Sequence, residues 1–430
     1  MRYHLIGIAG SSMSGLARIL QKRGEQVSGC DLEEIYLKGI LTQKGHNPTH
    51  INKNIDALVT SAAITPSSLA WPEVEKAQQL GVKVISRAKM IGQLMREKRG
   101  IAIAGTHGKT TISAMVTLIL KEAGRRPSFL IGGEIKGWGN ADWDEGEDFV
   151  VEACEYGRQF LEFRPVVALI SNIEKEHLDT YPRGMPEIKK AFKKFVRLLP
   201  KNGLLILWQE EPLTGWLKKS APCKVKTFSL SKPWPGLSLK IPGEHNLLNA
   251  TAAARLCHEL GVPHSVIKKT LNQFTGVKRR FEIKGEAKGI LVVDDYGHHP
   301  SEIKATLKGA RQWYPSRRII CLFQPHQYAR TYHLLKDFTT AFSDCDLLIV
   351  TDIFGVPGRD EVKVTTEELV RAIRQKKKEV IYLKEEQLLD YLKQTCQSND
   401  LVLTMGATKI YQVGEQFLSL LKKGEQDERA

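Results

Sequence analysis

Short apolar runs, each followed by a stretch with helical spacing, recur along almost the whole 430-residue chain and limit its fold more than any single motif does. The runs fall at residues 4–8, 26–29, 57–60, 82–85, 101–104, 149–152, 166–172, 204–208, 290–293, 319–323, 347–351 and 401–405. Helical patterns lie between them, at 14–22, 187–199 and 249–260, after Pro300, and from Tyr332 and Thr366. This alternation builds strand-helix-strand units, which set their strands in parallel sheets and gather ligands at the strands' carboxyl ends. The length exceeds one ordinary core. An α/β chain of three domains is expected, over residues 1–97, 98–276 and 277–430, with the polar break Lys98-Arg99-Gly100 at the first boundary.

One run leads into a turn with chemistry of its own. Gly105-Thr106-His107-Gly108-Lys109-Thr110-Thr111 follows an apolar strand and precedes a helical pattern, the setting of a phosphate cradle. Glycines let backbone N–H groups turn inward, the new helix N-terminus favours an anion, Lys109 neutralises phosphate, and the Thr110 hydroxyl can hold Mg2+. A nucleoside triphosphate is the expected ligand. The spacing is shorter than the general G-x-x-x-x-G-K-T pattern, because Ile103 stands where that pattern has glycine. A second glycine-rich turn opens the chain at Gly7-Ile8-Ala9-Gly10-Ser11-Ser12-Met13-Ser14-Gly15, and Asp31 closes the following strand, where a carboxylate can accept from ribose hydroxyls. Ala9 and Ser12 occupy glycine positions of the dinucleotide fingerprint, which leaves a packed turn without a ligand as the lesser alternative.

Composition narrows the partners. The formal charge is +15, yet Lys and Arg are spread along the chain without aromatic interleaving or a recognisable binding module, so no nucleic-acid partner is expected and a basic cleft for polyanionic small substrates is. No apolar stretch approaches the roughly 20 residues of a membrane span, and no export signal is visible. The seven cysteines are scattered, with no C-x-x-C pair, which fits a reducing cytoplasm better than a disulfide framework. A monomer or homodimer is expected.

Polar clusters follow several runs. Glu152 closes 149–152, and Asn172-Ile173-Glu174-Lys175-Glu176-His177 follows the next run, offering a carboxylate and an imidazole as Mg2+ and phosphate partners. Asp294-Asp295-Tyr296-Gly297-His298-His299-Pro300 and Gln324-Pro325-His326-Gln327-Tyr328-Ala329-Arg330-Thr331 end what read as two adjacent parallel strands lining one pocket. Arg330 can fix a carboxylate bidentately, and Arg279-Arg280 can clamp phosphate or form surface ion pairs.

Taken together, these blocks resemble the Mur ligases from Tyr3 to about Phe417. The resemblance rests on the opening turn through Ala17, Ser28-Gly29-Cys30-Asp31, the short Gly-Thr-His-Gly-Lys-Thr-Thr loop, Glu152-Ala153-Cys154-Glu155, Asn172-Ile173-Glu174 with His177, residues 243–249, Arg279-Arg280-Phe281-Glu282, residues 294–300 and residues 324–331. The short phosphate loop is that family's own form. The resemblance implies a Rossmann-like N-terminal domain holding a uridine diphosphate sugar, a central P-loop ATPase-like parallel sheet holding ATP, and a Rossmann-like C-terminal domain helping to bind ATP and an amino acid. The implied reaction joins L-alanine to UDP-N-acetylmuramate in peptidoglycan synthesis, with ATP and Mg2+ as cofactors. Carried over by position, Gly105, Thr106, His107, Gly108, Lys109, Thr110 and Thr111 would grip the nucleotide, with His245, Asn246, Asn249 and Arg280 near it. Thr110, Glu152 and His177 would hold metal, and Tyr296, His298, His326 and Arg330 would surround alanine. Lys109, His177, Glu152 and Arg330 would be catalytic, while Gly7, Gly10, Ser11, Met13, Ser14 and Asp31 would hold the UDP moiety.

The nearest rival is the recycling branch of the same family, which attaches a preformed tripeptide to the same sugar. Its block usually has Phe-Ala where this chain has Tyr296-Gly297. An ATP-dependent nucleic-acid-binding protein and a nicotinamide oxidoreductase are the readings from other classes; the second leaves the Lys109 loop unexplained.

Overall fold

Eighteen strands, grouped in three sheets, carry the described chain. The computed structural model describes residues 1–355 and 364–427. The first sheet comprises β1 (Arg2–Ile6), β2 (Gln26–Asp31), β3 (Leu41–Lys44), β4 (Ala57–Thr60) and β5 (Lys83–Ser86), all parallel, in the order β3-β2-β1-β4-β5. Chain order reverses at β1, which puts the Gly7 turn at the switch point where such sheets take ligands.

The second sheet comprises β6 (Arg99–Ala104), β7 (Ser128–Ile135), β8 (Gly139–Asp142), β9 (Asp148–Glu152), β10 (Val167–Ile170), β11 (Leu204–Trp208) and β12 (Lys224–Phe228), in the order β12-β11-β10-β6-β9-β7-β8. The third comprises β13 (Glu282–Ala287), β14 (Ile290–Asp295), β15 (Arg318–Phe323), β16 (Leu347–Val350), β17 (Val380–Tyr382) and β18 (Asp400–Met405), in the order β13-β14-β18-β15-β16-β17. By Cα proximity the chain forms two compact units, Met1–Ser238 with Leu248–Gln273, and Leu239–Leu247 with Phe274 onward.

The expected α/β class holds, with three differences in detail. Two edge pairs, β7 with β8 and β13 with β14, are antiparallel, because connections as short as Lys288-Gly289 cannot cross over to a parallel neighbour. Both of those residues have positive φ, 49° and 73°, as a two-residue hairpin turn requires. The polar break at Lys98-Arg99-Gly100 is no break: Arg99 and Gly100 lie inside β6, where Arg99 stands in register with Asp148 of β9 and its Nε donates to that buried carboxylate at 2.7 Å. Finally, β14 and β15 are not neighbours. β18, buried along all six residues, lies between them and pairs with both.

Packing inside the first unit runs across the expected 97/98 division. The helix Ser11–Lys22 lies on β7 and β8, where Asn140 Nδ2 donates to Ser11 O at 2.8 Å and Arg18 Nη2 donates to Asn140 Oδ1 at 2.5 Å. Among the described residues no helix is long and apolar enough to cross a membrane, and all seven cysteines are free thiols.

Candidate active site

In the first unit the phosphate loop forms where β6 hands over to the helix Lys109–Glu122. Gly105 and Gly108 hold φ of +124° and +80°; a Cβ on Gly105 would lie 2.2 Å from Ser171 Oγ, and one on Gly108 would lie 2.4 Å from Asn249 Oδ1. Only glycine meets both demands. The end of the neighbouring strand β10 ties the loop down: Thr106 N–H donates to Asn172 O (3.0 Å), His107 N–H to Asn172 Oδ1 (2.9 Å), and Ser171 Oγ to His107 O (2.6 Å). The sequence reading put Ser171 and Asn172 inside a strand; it ends at Ile170, and both residues serve the loop.

Lys109 Nζ donates to Gly105 O at 2.6 Å and to Thr106 O at 2.9 Å, and lies 3.1 Å from Glu155 Oε2. Burial disfavours its charge, but Glu155, Cys154 and Glu152 outweigh that and raise its pKa, so the ammonium stays charged. Glu155 was expected only as part of a matching block. It is buried, and its Oε1 accepts no hydrogen bond. Thr110 Oγ1 and Gly132 N–H both donate to Glu152 Oε2 at 2.8 Å, and Thr111 is buried one residue further along the helix. His177, at φ 54°, has its ring 5.1 Å from that of Tyr156. One donor atom each from Cys154, Glu155 and His177 lies within 4.8 Å of the others. The Thr110 and Glu152 oxygens are the hard donors that Mg2+ takes.

At the end of β1, Gly7 has φ +76° and its N–H donates to Cys30 O at 2.9 Å, while Gly10 caps the helix that follows. The Asp31 carboxylate accepts from Ala9 N–H at 2.9 Å and Glu33 N–H at 3.2 Å, which fixes the turn's shape. The remaining residues expected here are engaged within the protein: Met13 is buried in the core, Ser14 Oγ donates to Ser11 O at 3.0 Å, and Ser11 Oγ accepts from Asn140 Nδ2 at 3.0 Å.

In the second unit β14 and β15 point their polar ends past β18. The Tyr296 and His298 rings are 5.5 Å apart, those of His298 and His326 are 6.3 Å apart, and Arg330 Nη1 lies 3.1 Å from His326 Nδ1. All four residues expected around the amino acid thus form one cluster. Beneath it, Asp295 accepts from Gly297 N–H at 2.7 Å and from Phe281 N–H at 2.8 Å, and burial raises its pKa to about 6 despite Arg280 and these donors. Arg279 Nε donates to Asp294 Oδ2 at 3.0 Å and its Nη2 to Gly406 O at 2.7 Å; the Arg279 and Arg280 guanidiniums stand 5.0 and 5.1 Å from the Tyr296 ring centre. Loss of hydration lowers the pKa of His245 to about 4, so its ring is neutral at pH 7, and Asn246 Nδ2 donates to Pro242 O at 2.6 Å. The sequence named Asp295 only as part of a strand-end block and Arg279 only as one of a pair that clamps phosphate or forms surface ion pairs; here both hold backbone groups around Tyr296 in place. An acid pair closing a strand, answered by an arginine pair, was their signal.

Comparison with known proteins covers the chain from end to end. Residues 2–99 match the description "Mur ligase family, catalytic domain", residues 103–236 "Mur ligase middle domain", and residues 279–408 "Mur ligase, glutamate ligase domain". A UDP-N-acetylmuramate–L-alanine ligase of Caldanaerobacter subterraneus subsp. tengcongensis is 38% identical, with 98% of each chain covered. That of Acetivibrio thermocellus is 40% identical over 96% of this chain and 95% of its own. The crystal structure of UDP-N-acetylmuramate–alanine ligase from Thermotoga maritima superposes with a TM-score of 0.81 at 27% identity, covering 99% of this chain and 100% of that one. With the phosphate loop, the strand-end clusters and the full length all matched, this chain belongs to the Mur ligase family.

Proposed function

We propose that this protein is an ATP-dependent ligase that joins L-alanine to the muramate carboxylate of UDP-N-acetylmuramate through an acyl phosphate, in peptidoglycan synthesis. The observation that carries this is a charged, largely buried Lys109 held by loop carbonyls beside the Thr110–Glu152 oxygen pair, in a chain similar throughout to ligases of that name. A carboxylate is a poor acyl donor until one oxygen becomes a phosphate leaving group, so the first step must bring two anions together.

In this function the loop N–H groups and Lys109 hold the phosphates and screen their charge, with Asn249 bracing Gly108. Thr110, Glu152 and His177 would hold Mg2+, which supplies further screening of the same charge. A muramate carboxylate oxygen attacks the γ-phosphorus, and the bond from that phosphorus to the ADP oxygen breaks. The alanine nitrogen then attacks the acyl carbon, phosphate leaves, and the nitrogen gives up a proton. Arg330 would grip the alanine carboxylate as a fork, leaving the amine free, with Tyr296, His298 and His326 around it. Gly7, Gly10 and Asp31 would hold the UDP moiety at the end of β1.

The test is an acceptor panel of L-alanine, L-serine, glycine and the tripeptide, with UDP-N-acetylmuramate, ATP and Mg2+, read by product mass and ADP release. Amide and ADP in equal amounts, largest with L-alanine, are expected. Preferred use of the tripeptide would move the chain to the recycling branch, and amide formed without ATP consumption would end the proposal.

A further inference from the structure

Away from the phosphate loop, the first sheet holds a second concentration of donor atoms. His4 on β1 and Cys30 on β2 face the side of the sheet where Ile6 and Leu58 pack with Val74 and Ala77 of the helix Trp71–Gln79. Into this apolar layer the helix inserts Glu73, whose exposure is 0%. Its carboxylate lies 3.3 Å from Cys30 Sγ, 2.8 Å from His50 Nδ1 and 3.1 Å from His46 Nδ1. One donor atom each from His4, Cys30, His50 and Glu73 lies within 4.8 Å of the other three.

His4 shows what this group lacks. Ser28 Oγ lies 2.9 Å from His4 Nδ1 and 3.4 Å from Tyr3 O; with the hydroxyl proton turned to Tyr3 O, its oxygen accepts from His4 Nδ1–H. In that tautomer Nε2 carries a lone pair. His4 is 1% exposed, and its Nε2 has no hydrogen-bond partner. A buried lone pair left bare is destabilising. A Lewis acid would satisfy it.

We propose that His4, Cys30, His50 and Glu73 form a structural binding site for a zinc-class divalent cation. The donor set of one thiolate, two imidazoles and one carboxylate suits Zn2+ and not Mg2+ or Ca2+. With Zn–S near 2.3 Å and Zn–N or Zn–O near 2.1 Å, a tetrahedral shell has ligand-to-ligand edges of roughly 3.3–3.7 Å. The Cys30–Glu73 distance of 3.3 Å already meets that, and the shorter His50–Glu73 contact would open slightly as the ion takes the place of the proton between them, which a neutral His50 then carries on Nε2. Binding releases the Cys30 thiol proton, and the thiolate and Glu73 together balance the ion's two charges. Ser28 would orient His4 from behind, and His46, 3.4 Å from Cys30 Sγ, would support the thiolate. The ion would fasten the ends of β1 and β2 to the helix that carries Glu73. Because Gly7 N–H donates to Cys30 O, it would also brace the glycine turn at the end of β1.

The test uses the full-length chain, stripped with chelator and titrated with Co2+ and Zn2+. About one ion per chain is expected, with a thiolate-to-cobalt charge-transfer band and the visible bands of tetrahedral Co2+, both bleached by Zn2+. Cys30→Ser should remove the charge-transfer band and His50→Gln should weaken binding at least tenfold, while Cys154→Ser, near the phosphate loop, should leave the band intact. Ser28→Ala, which touches no proposed ligand atom except through His4, should lower affinity about tenfold. Absence of the band in the folded wild-type chain, or its survival in Cys30→Ser, would overturn the site; should Cys30→Ser not fold, an unchanged affinity in His50→Gln would do the same.

Discussion

Lys109 Nζ and Glu155 Oε2 lie 3.1 Å apart in a buried pocket, so the cation of the phosphate loop has an anionic partner of its own within the fold. Burial lowers the pKa of Lys109, and Glu155, with Cys154 and Glu152, more than offsets this. A phosphate held by Lys109, as proposed, would share or replace Glu155.

Lys109→Ala should lower kcat by at least about 10², measured as ADP release, and leave UDP-N-acetylmuramate binding by calorimetry unchanged. It also strands a buried carboxylate, at about 3–5 kcal/mol. The double variant Lys109→Ala, Glu155→Gln should therefore recover most of the lost stability and none of the activity. Recovery of turnover in the double variant would contradict a phosphate-binding role for Lys109.

Gly108→Ala places a methyl group 2.4 Å from Asn249 Oδ1 at a φ of +80°. The left-handed conformation alone costs about 1–2 kcal/mol, and Asn249 must move. A lower denaturation midpoint is expected together with a raised KM for ATP. An unchanged KM for ATP would mean that the loop does not shape the nucleotide site.

Arg330→Lys keeps the charge and loses the planar fork. The KM for L-alanine should rise about tenfold or more, a loss of roughly 1.4 kcal/mol, with the KM for ATP unaffected. Initial-rate kinetics at saturating ATP measure it; a change confined to the KM for ATP would place Arg330 elsewhere in the reaction.

Asp295 ionises in the folded chain only near pH 6, against about 4 when unfolded. Between these values the unfolded chain releases a proton that the folded chain keeps. The contribution of Asp295 is therefore complete below about pH 4 and is lost as pH rises through 6, on the order of 3 kcal/mol in all. Denaturation curves from pH 4 to 7 should show this decline as the difference between the wild type and Asp295→Asn, whose own profile lacks it. Parallel profiles would show that Asp295 titrates normally.

Much of the fold was legible because each apolar run declares a strand buried on both faces, and the helices between them carry their own periodicity. Six strands have no counterpart among the apolar runs: β3, β8, β12, β13 and β17 lie at sheet edges, where half-exposed positions take polar residues and blur the pattern, whereas β7 lies inside its sheet and its apolar run Phe129-Leu130-Ile131 is cut short by Gly132-Gly133-Glu134. The Arg99 error had a related cause. A charged residue reads as a break until the buried Asp148 that pairs with it is found on another strand.

By itself the sequence determined the α/β class and the phosphate loop, because these depend on local order: an apolar strand, a turn, then a helix; the four residues at the ends of β14 and β15 were implied by the resemblance to the Mur ligases. Only the tertiary structure decided that β18 separates β14 from β15, that Asn172 and Ser171 hold the loop, and that Glu155 holds Lys109. It alone also gathered His4, Cys30, His50 and Glu73 from four separate segments. Each of those relationships depends on which strands pair and which helix covers them. Pairing is settled by burial summed over the whole sheet, a long-range quantity that no short stretch of chain encodes.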